Sequence, residues 1–401
     1  MSQRLVRSPN LLRLGLFWLG IQAVWGALLG ISLQARTIEL VTGSGALISY
    51  GRLATAGAFV AAIVQIGVGP WSDARRARGS RRIEFYVAGA LAGAAAIGFF
   101  YGAQSFAVLC VAFVGVQAAL NFAIGPYQAI IPDAVERARF GSASSWMAAL
   151  QSAGNAIGAV CAAFVNDARI LAGSLAILLL GTGAATCAEV RGATLQASPP
   201  RQPIRITRAF VDLFVSRALV YVGFYTLLDY LLFYVRSGLS ASVAEAKAQS
   251  GILILAFTLV GTLGAALAAR PSDRVDKRLV ATVGGGIVIA GLALFVGAHG
   301  MAGAAIATLV AGAGWGIFLV ADWAIACRIL PAGALATTMG IWNLALILPQ
   351  IIAPALTTAV LSRLALATGP QGPRAAFVLA ICETFVGIAW LWRLSRSAIG
   401  E

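Results

Sequence analysis

The sequence predicts an all-α membrane protein with twelve transmembrane helices in two pseudo-symmetric six-helix bundles. Three observations lead there. Sixty per cent of residues are apolar and only 11% charged, against about 25% charged in soluble domains, so most of the surface must face lipid. The apolar residues fall into twelve runs long enough to cross a bilayer, which takes about 20 helical residues. The second half also repeats the first. Ser72-Asp73-Ala74-Arg75-Arg76 is answered by Ser272-Asp273-Arg274, Ile131-Pro132 by Leu330-Pro331, Gly141 by Gly340 and Gln151 by Gln350, all near one offset. A half-length repeat in so apolar a chain is how many secondary transporters are built.

The expected spans cover residues 11–33, 45–70, 83–101, 105–131, 143–165, 170–190, 209–235, 249–270, 279–298, 302–329, 337–362 and 375–394. The first follows Arg4, Arg7 and Arg13; it is too long for a cleaved secretory segment and is expected to be retained. Only Asn166-Asp167-Ala168-Arg169 separates the fifth from the sixth. Between the sixth and seventh, Ser198-Pro199-Pro200 and Pro203 stop helices and suit an exposed linker. This divides the chain into a bundle over 1–190, a cytoplasmic linker over 191–208 and a bundle over 209–401. Arginine and lysine crowd the segments on one side, including Arg75, Arg76, Arg81, Arg82, Arg205, Arg274 and Lys277. The positive-inside rule then places both termini in the cytoplasm of a bacterial-type inner membrane.

Lys and Arg outnumber Asp and Glu by 29 to 15. Nucleic acid is not the partner this implies, because that requires a basic face on a soluble fold; here the cations sit in short loops, where anionic lipid attracts them. The five cysteines each lie inside an apolar run without paired spacing, so neither a disulfide framework nor a metal site is expected. Gly284-Gly285-Gly286 lies within a span with no strand before it and reads as helix packing. The single histidine, His299, falls in an outer loop. No catalytic constellation or cofactor motif stands out, so the chain reads as a non-enzyme, expected to be a monomer in lipid.

The loops carry the most specific pattern. Gly69-Pro70-Trp71-Ser72-Asp73 is followed by Gly79-Ser80-Arg81-Arg82. Glycine allows close helix approach, Asp73 suits a neighbouring helix N-terminus, and the arginines can pair with acids at adjacent helix ends. Such contacts would form a bistable gate; the same charges could instead only set topology. Gly125-Pro126-Tyr127-Gln128-Ala129-Ile130-Ile131-Pro132-Asp133 precedes Gly141, and Asp322-Trp323 leads through Pro331 to Gly340-Ile341-Trp342-Asn343 and Pro349-Gln350. These stretches resemble the major facilitator superfamily, most of all its glycoside–pentoside–hexuronide symporter and sucrose-transporter branches. The resemblance implies a major facilitator fold and a cytoplasmic gate of Gly69, Asp73, Arg81, Arg82, Asp133 and Asp273. Two departures stand: Ala269 occupies the place of the gate glycine in the second half, and the second span lacks the acidic cation site of melibiose-type symporters.

An ionisable side chain within a span faces a cavity or a partner by default. Four do so here: Asp322, Asp229, Arg217 and Arg52. In one reading an aspartate takes up and releases a proton. In the other, Asp322 pairs with Arg217, and Asp229 with Arg52 as an outer latch. Glu383 is read as a packed bystander. Candidate solute ligands are Gln22, Trp25, Asn121, Tyr127, Gln128, Gln151, Asn155, Tyr225, Trp342 and Asn343, since amides and aromatic rings together suit sugars; helix–helix hydrogen bonding would employ the same groups. The expected activity is alternating-access transport of a small polar solute, a sugar or glycoside, coupled to protons. A proton-driven exporter of amphipathic compounds and a non-transporting receptor or assembly factor remain as alternatives.

Overall fold

The computed structural model describes residues 8–41, 45–136, 139–194, 206–240, 242–329, 335–366 and 371–395. Most of the expected 191–208 linker lies outside them. Among the described residues, twelve helices are long and apolar enough to cross a membrane: α1 (Leu11–Leu40), α2 (Ala46–Ala77), α3 (Ile83–Gly102), α4 (Phe106–Tyr127), α5 (Phe140–Phe164), α6 (Ala168–Gly192), α7 (Arg208–Gly238), α8 (Val243–Arg274), α9 (Lys277–Gly297), α10 (Met301–Ile329), α11 (Leu335–Arg363) and α12 (Gly372–Leu391). Side-chain caps begin several of them. Asn10 accepts from the Arg13 amide, Asp167 from Arg169 and Ile170, Thr207 from Phe210 and Asp276 from Arg278, each satisfying a helix-end donor. The backbone amides that bond the exposed Asp167 carboxylate also hold it below its ordinary pKa.

Some boundaries differ from expectation for local reasons. The first helix runs past residue 33 to Leu40 through a π turn at Leu28–Ser32. It tolerates polar residues there because they find partners: Gln34 Nε2 donates to the Leu29 carbonyl and Arg36 to that of Ala103. The fourth stops at Tyr127, where Pro126 removes a donor, and a single-turn helix, Ile130–Ala134, follows. The second continues through Pro70 to Ala77.

Packing divides the chain into two compact units. Met1–Arg36 with Ala56–Pro200 forms the first, and Thr37–Thr55 with Arg201–Glu401 the second. Within the first, α1 packs on α5 and α6, and α3 on α4 and α6. Within the second, α7 packs on α11 and α12, and α9 on α10 and α12. Advancing every helix of the first set by six gives these four pairings of the second, so the sequence repeat is in large part a repeat of packing partners; the close packing of α8 on α10 has no counterpart of similar extent between α2 and α4.

Glycine sets the closest approaches. A Cβ at Gly154 or Gly158 would strike the carbonyls of Leu19 or Ala23 across the α5–α1 seam. One at Gly284 or Gly314 would strike the backbone across α9–α10. Small residues at such seams let helix backbones meet where lipid supplies no hydrophobic drive for association.

Candidate functional site

The gate motif of the first unit folds around Arg82. Its backbone is left-handed, with φ at 61°, which turns the chain into α3. The buried guanidinium bonds Asp133 (Nε to Oδ2, 2.7 Å), pairs with Asp73 at 2.9 Å and reaches Ser72 Oγ. Burial opposes its charge, but Asp133 and Asp73 outweigh that and raise its pKa above the ordinary arginine value. Arg76 approaches Asp133 at 3.5 Å. Arg81 donates to the Val190 and Ala193 carbonyls at 2.7 and 2.6 Å, closing the C-terminal end of α6. In the second unit Arg278 does the same for the end of α12, donating to Leu394 at 2.6 Å.

Two details of the gate differ from expectation. A Cβ at Gly69 would meet nothing within 4 Å, because long side chains span the junction without close backbone approach. Asp73 pairs with Arg82 through its side chain, in place of the expected helix N-terminus. The side chain of Asp273 lies outside the described residues.

Polar residues along the spans of the first unit are mostly amides. Gln22 Nε2 lies 3.5 Å from Gln151 Oε1, joining α1 to α5. Gln65 donates to Asn121 at 2.5 Å, and Asn121 donates to Gln117 at 2.8 Å (carbonyl) and 3.2 Å (side chain). Trp25 is half-buried on the Gln22 face, while Asn155 and Gln128 are exposed. Tyr127 belongs to the core: it is fully buried, donates to the Leu14 carbonyl at 2.8 Å and packs on the rings of Phe17, Trp18 and Tyr86.

The second unit gathers the ionisable groups. Arg217, 2% exposed, bonds Asp322, also 2% exposed. The guanidinium lies against the rings of Trp342 (4.5 Å) and Tyr221 (4.8 Å), a cation–π setting. Its Nε and the indole Nε1 of Trp342 are buried donors without an acceptor among the described residues. Tyr225 OH accepts from Gln350 at 3.0 Å. The side chain of Asn343 lies outside the described residues.

The expected latch between Arg52 and Asp229 is not made. Asp229 accepts from Tyr50 OH at 2.7 Å, and Arg52 is exposed. Two residues along a helix turn about 200°, so a helix that aims Tyr50 at Asp229 aims Arg52 away. Tyr50, Tyr221 and the threonines of α7 and α11 (Thr226, Thr357 and Thr358) were not singled out by sequence, because aromatic and hydroxyl residues within apolar runs read as packing.

Comparison with known proteins agrees with this architecture. The sequence profile of the Major Facilitator Superfamily matches residues 14–354. The chain belongs to the Major Facilitator Superfamily. Membership makes it a multi-pass membrane transporter and not an enzyme. Solved structures similar in fold include a bacterial homologue of the human lysosomal transporter Spinster in an inward-facing, occupied conformation. It has 16% identity and a TM-score of 0.71, with 96% of this chain and 95% of that chain covered. A D-xylose–proton symporter has 14% identity and a TM-score of 0.68, with 98% of each chain covered. An auto-inhibited peptide transporter of the POT family has 10% identity and a TM-score of 0.73, with 96% of each covered. Among curated proteins, none matches the sequence.

Proposed function

We propose that this superfamily member is a proton-coupled importer of a small polar solute, a sugar or glycoside, working by alternating access in a bacterial inner membrane. Both termini lie in the cytoplasm in this reading, the protein acts as a monomer, and the chain sits nearest the glycoside–pentoside–hexuronide branch. The loop motifs and the arginine-rich segments support that placement.

The observation that carries the coupling is Asp229. Its carboxylate lies within a span and is held by a neutral hydroxyl, that of Tyr50, with no cation in ion-pair distance among the described residues. A buried carboxylate without a counter-charge is costly, and a proton removes that cost. Asp322, already neutralised by Arg217, has less need of one. The amides of Gln22, Gln151 and Asn155 supply donors and acceptors for hydroxyls, and Trp25 offers a ring face beside Gln22. The Arg82 clamp with Asp73 and Asp133 serves as the cytoplasmic gate, closing and parting with the cycle.

Proton flux in proteoliposomes tests the reading. A panel of sugars and glycosides added outside de-energised vesicles should include one that alkalinises the external medium. Acid release from pre-energised vesicles on adding an amphipathic cation would indicate an exporter instead. Silence in both assays would assign a non-transporting role.

A further inference from the structure

Where α7, α11 and α12 meet, one carboxylate lies among hydroxyls with little else to bond. Glu383 is 6% exposed, Thr384 1%, and Thr226 and Thr357 are fully buried. Thr226 Oγ1 donates to Glu383 Oε2 at 3.0 Å and lies 3.4 Å from Thr357 Oγ1. The second carboxylate oxygen, Oε1, and Thr384 Oγ1 are both sealed from solvent without a hydrogen-bond partner among the described residues. No lysine or arginine lies in ion-pair distance of Glu383 among the described residues. A buried acid with one unanswered oxygen, next in sequence to a residue with an unanswered hydroxyl, both facing α7, lacks a positive partner.

The internal repeat supplies a control. In the first unit a Cβ at Gly20 of α1 would strike Thr182 Oγ1 of α6; in the second, one at Gly223 of α7 would strike Thr384 Oγ1 of α12. The same glycine–threonine approach thus recurs in both copies. Thr182 spends its hydroxyl on its own helix, donating to Leu178 at 2.7 Å and Leu179 at 3.2 Å. Its neighbour is Gly181, where Thr384 has Glu383. The two copies therefore part at this point: one satisfies its threonine locally, and the other adds a carboxylate and leaves the threonine oxygen unused.

We propose that Glu383, Thr384, Thr226 and Thr357 form a binding site for a small monovalent cation, sodium, within the second unit. An all-oxygen donor set suits hard cations, and divalent ions of that class gather additional carboxylates or keep several waters. A single negative charge among neutral hydroxyls matches a single positive one. Thr226 can give its hydrogen to Glu383 and still turn a lone pair to the ion. The site is separate from Asp229, and its occupancy can be read without any solute, so it stands or falls apart from the transport reading.

The test uses the full-length protein purified in detergent. Unfolding midpoints are compared in sodium, potassium and choline chloride at equal ionic strength, and radioactive sodium binding is measured directly. A ligand that binds only the folded state raises the midpoint by mass action. Sodium should therefore raise it saturably over choline, and Glu383→Gln should abolish both the rise and the binding. Thr384→Ala keeps the charge and should weaken sodium binding about tenfold, roughly the loss of one good contact. Equal midpoints in sodium and choline for the unaltered protein would overturn the proposal, as would a full sodium response in Glu383→Gln. If Glu383→Gln does not fold, Thr384→Ala decides, and undiminished sodium affinity there overturns it.

Discussion

In the first unit the polar groups along the spans are mostly amides: Gln22 meets Gln151, and Gln65 meets Asn121, which meets Gln117. The second gathers the ionisable ones, Arg217 with Asp322, Asp229 with Tyr50, and Glu383 with Thr226, alongside the amide of Gln350 on Tyr225. Four helix pairings recur in both. A largely shared packing scheme thus carries two chemistries, to which the proposed function gives two tasks. Amides offer donors and acceptors with no change of charge and suit a neutral solute. Carboxylates change charge on taking a proton or cation and suit coupling.

The sharpest way to break this comparison is to unbalance the most buried pair. Asp322→Ala strands Arg217 without a counter-charge and should destabilise the protein by about 3–5 kcal/mol, while Arg217→Met combined with Asp322→Leu should recover most of that. Denaturant titration in detergent measures both. A single variant as stable as the double would show that the pair does not organise the second unit.

The gate clamp comes next. Arg82→Ala should cost about 1.5–3 kcal/mol, the range of hydrogen bonds to charged groups, and Arg82→Lys should restore little, because an ammonium cannot bridge Asp73, Asp133 and Ser72 with the fixed fork of a guanidinium. The sign of the pH dependence follows from the raised pKa of Arg82. Its contribution is complete below the ordinary arginine range and lost only as pH rises through the higher folded value. The stability gap between the unaltered protein and Arg82→Ala should therefore stay flat from about pH 6 to 9. A gap that closes on the alkaline side of that window would contradict it.

Amide truncation should do less to stability and more to recognition. Gln151→Ala, which breaks only a long contact, should cost at most about 1 kcal/mol in unfolding while raising the KM for solute. Asn121→Ala, at the hub of a buried amide cluster, should do the reverse. Smallest of all is Arg52→Glu, expected within about 0.5 kcal/mol of the unaltered protein and with normal uptake, since Asp229 looks to Tyr50. A large defect there would restore the latch.

Much of the architecture was legible because lipid imposes strong rules. Span number followed from apolar run length, and the pairing of the gate arginines with helix-end acids from the need to pair charges there, although sequence did not say that Arg82 in particular would meet Asp133. The Arg217–Asp322 pair was one of two readings, since an ion inside a span needs a partner but sequence does not say which. Asp229 shows where this stops. Its partner depended on helical phase across two distant segments, and the more charged neighbour, Arg52, faced the other way. Tyr127 was read among sugar ligands because an aromatic hydroxyl looks the same in sequence whether it meets a solute or the Leu14 carbonyl. The unused oxygens of Glu383 and Thr384 are invisible without coordinates, because their significance lies in what fails to reach them.

Solute counterflow set beside proton-driven accumulation, in the same proteoliposomes carrying Asp229→Asn, tests the division of tasks most directly. The account predicts that counterflow persists, because the amides of the first unit still bind solute, while accumulation against a gradient is lost. Accumulation at the unaltered level in Asp229→Asn would contradict it.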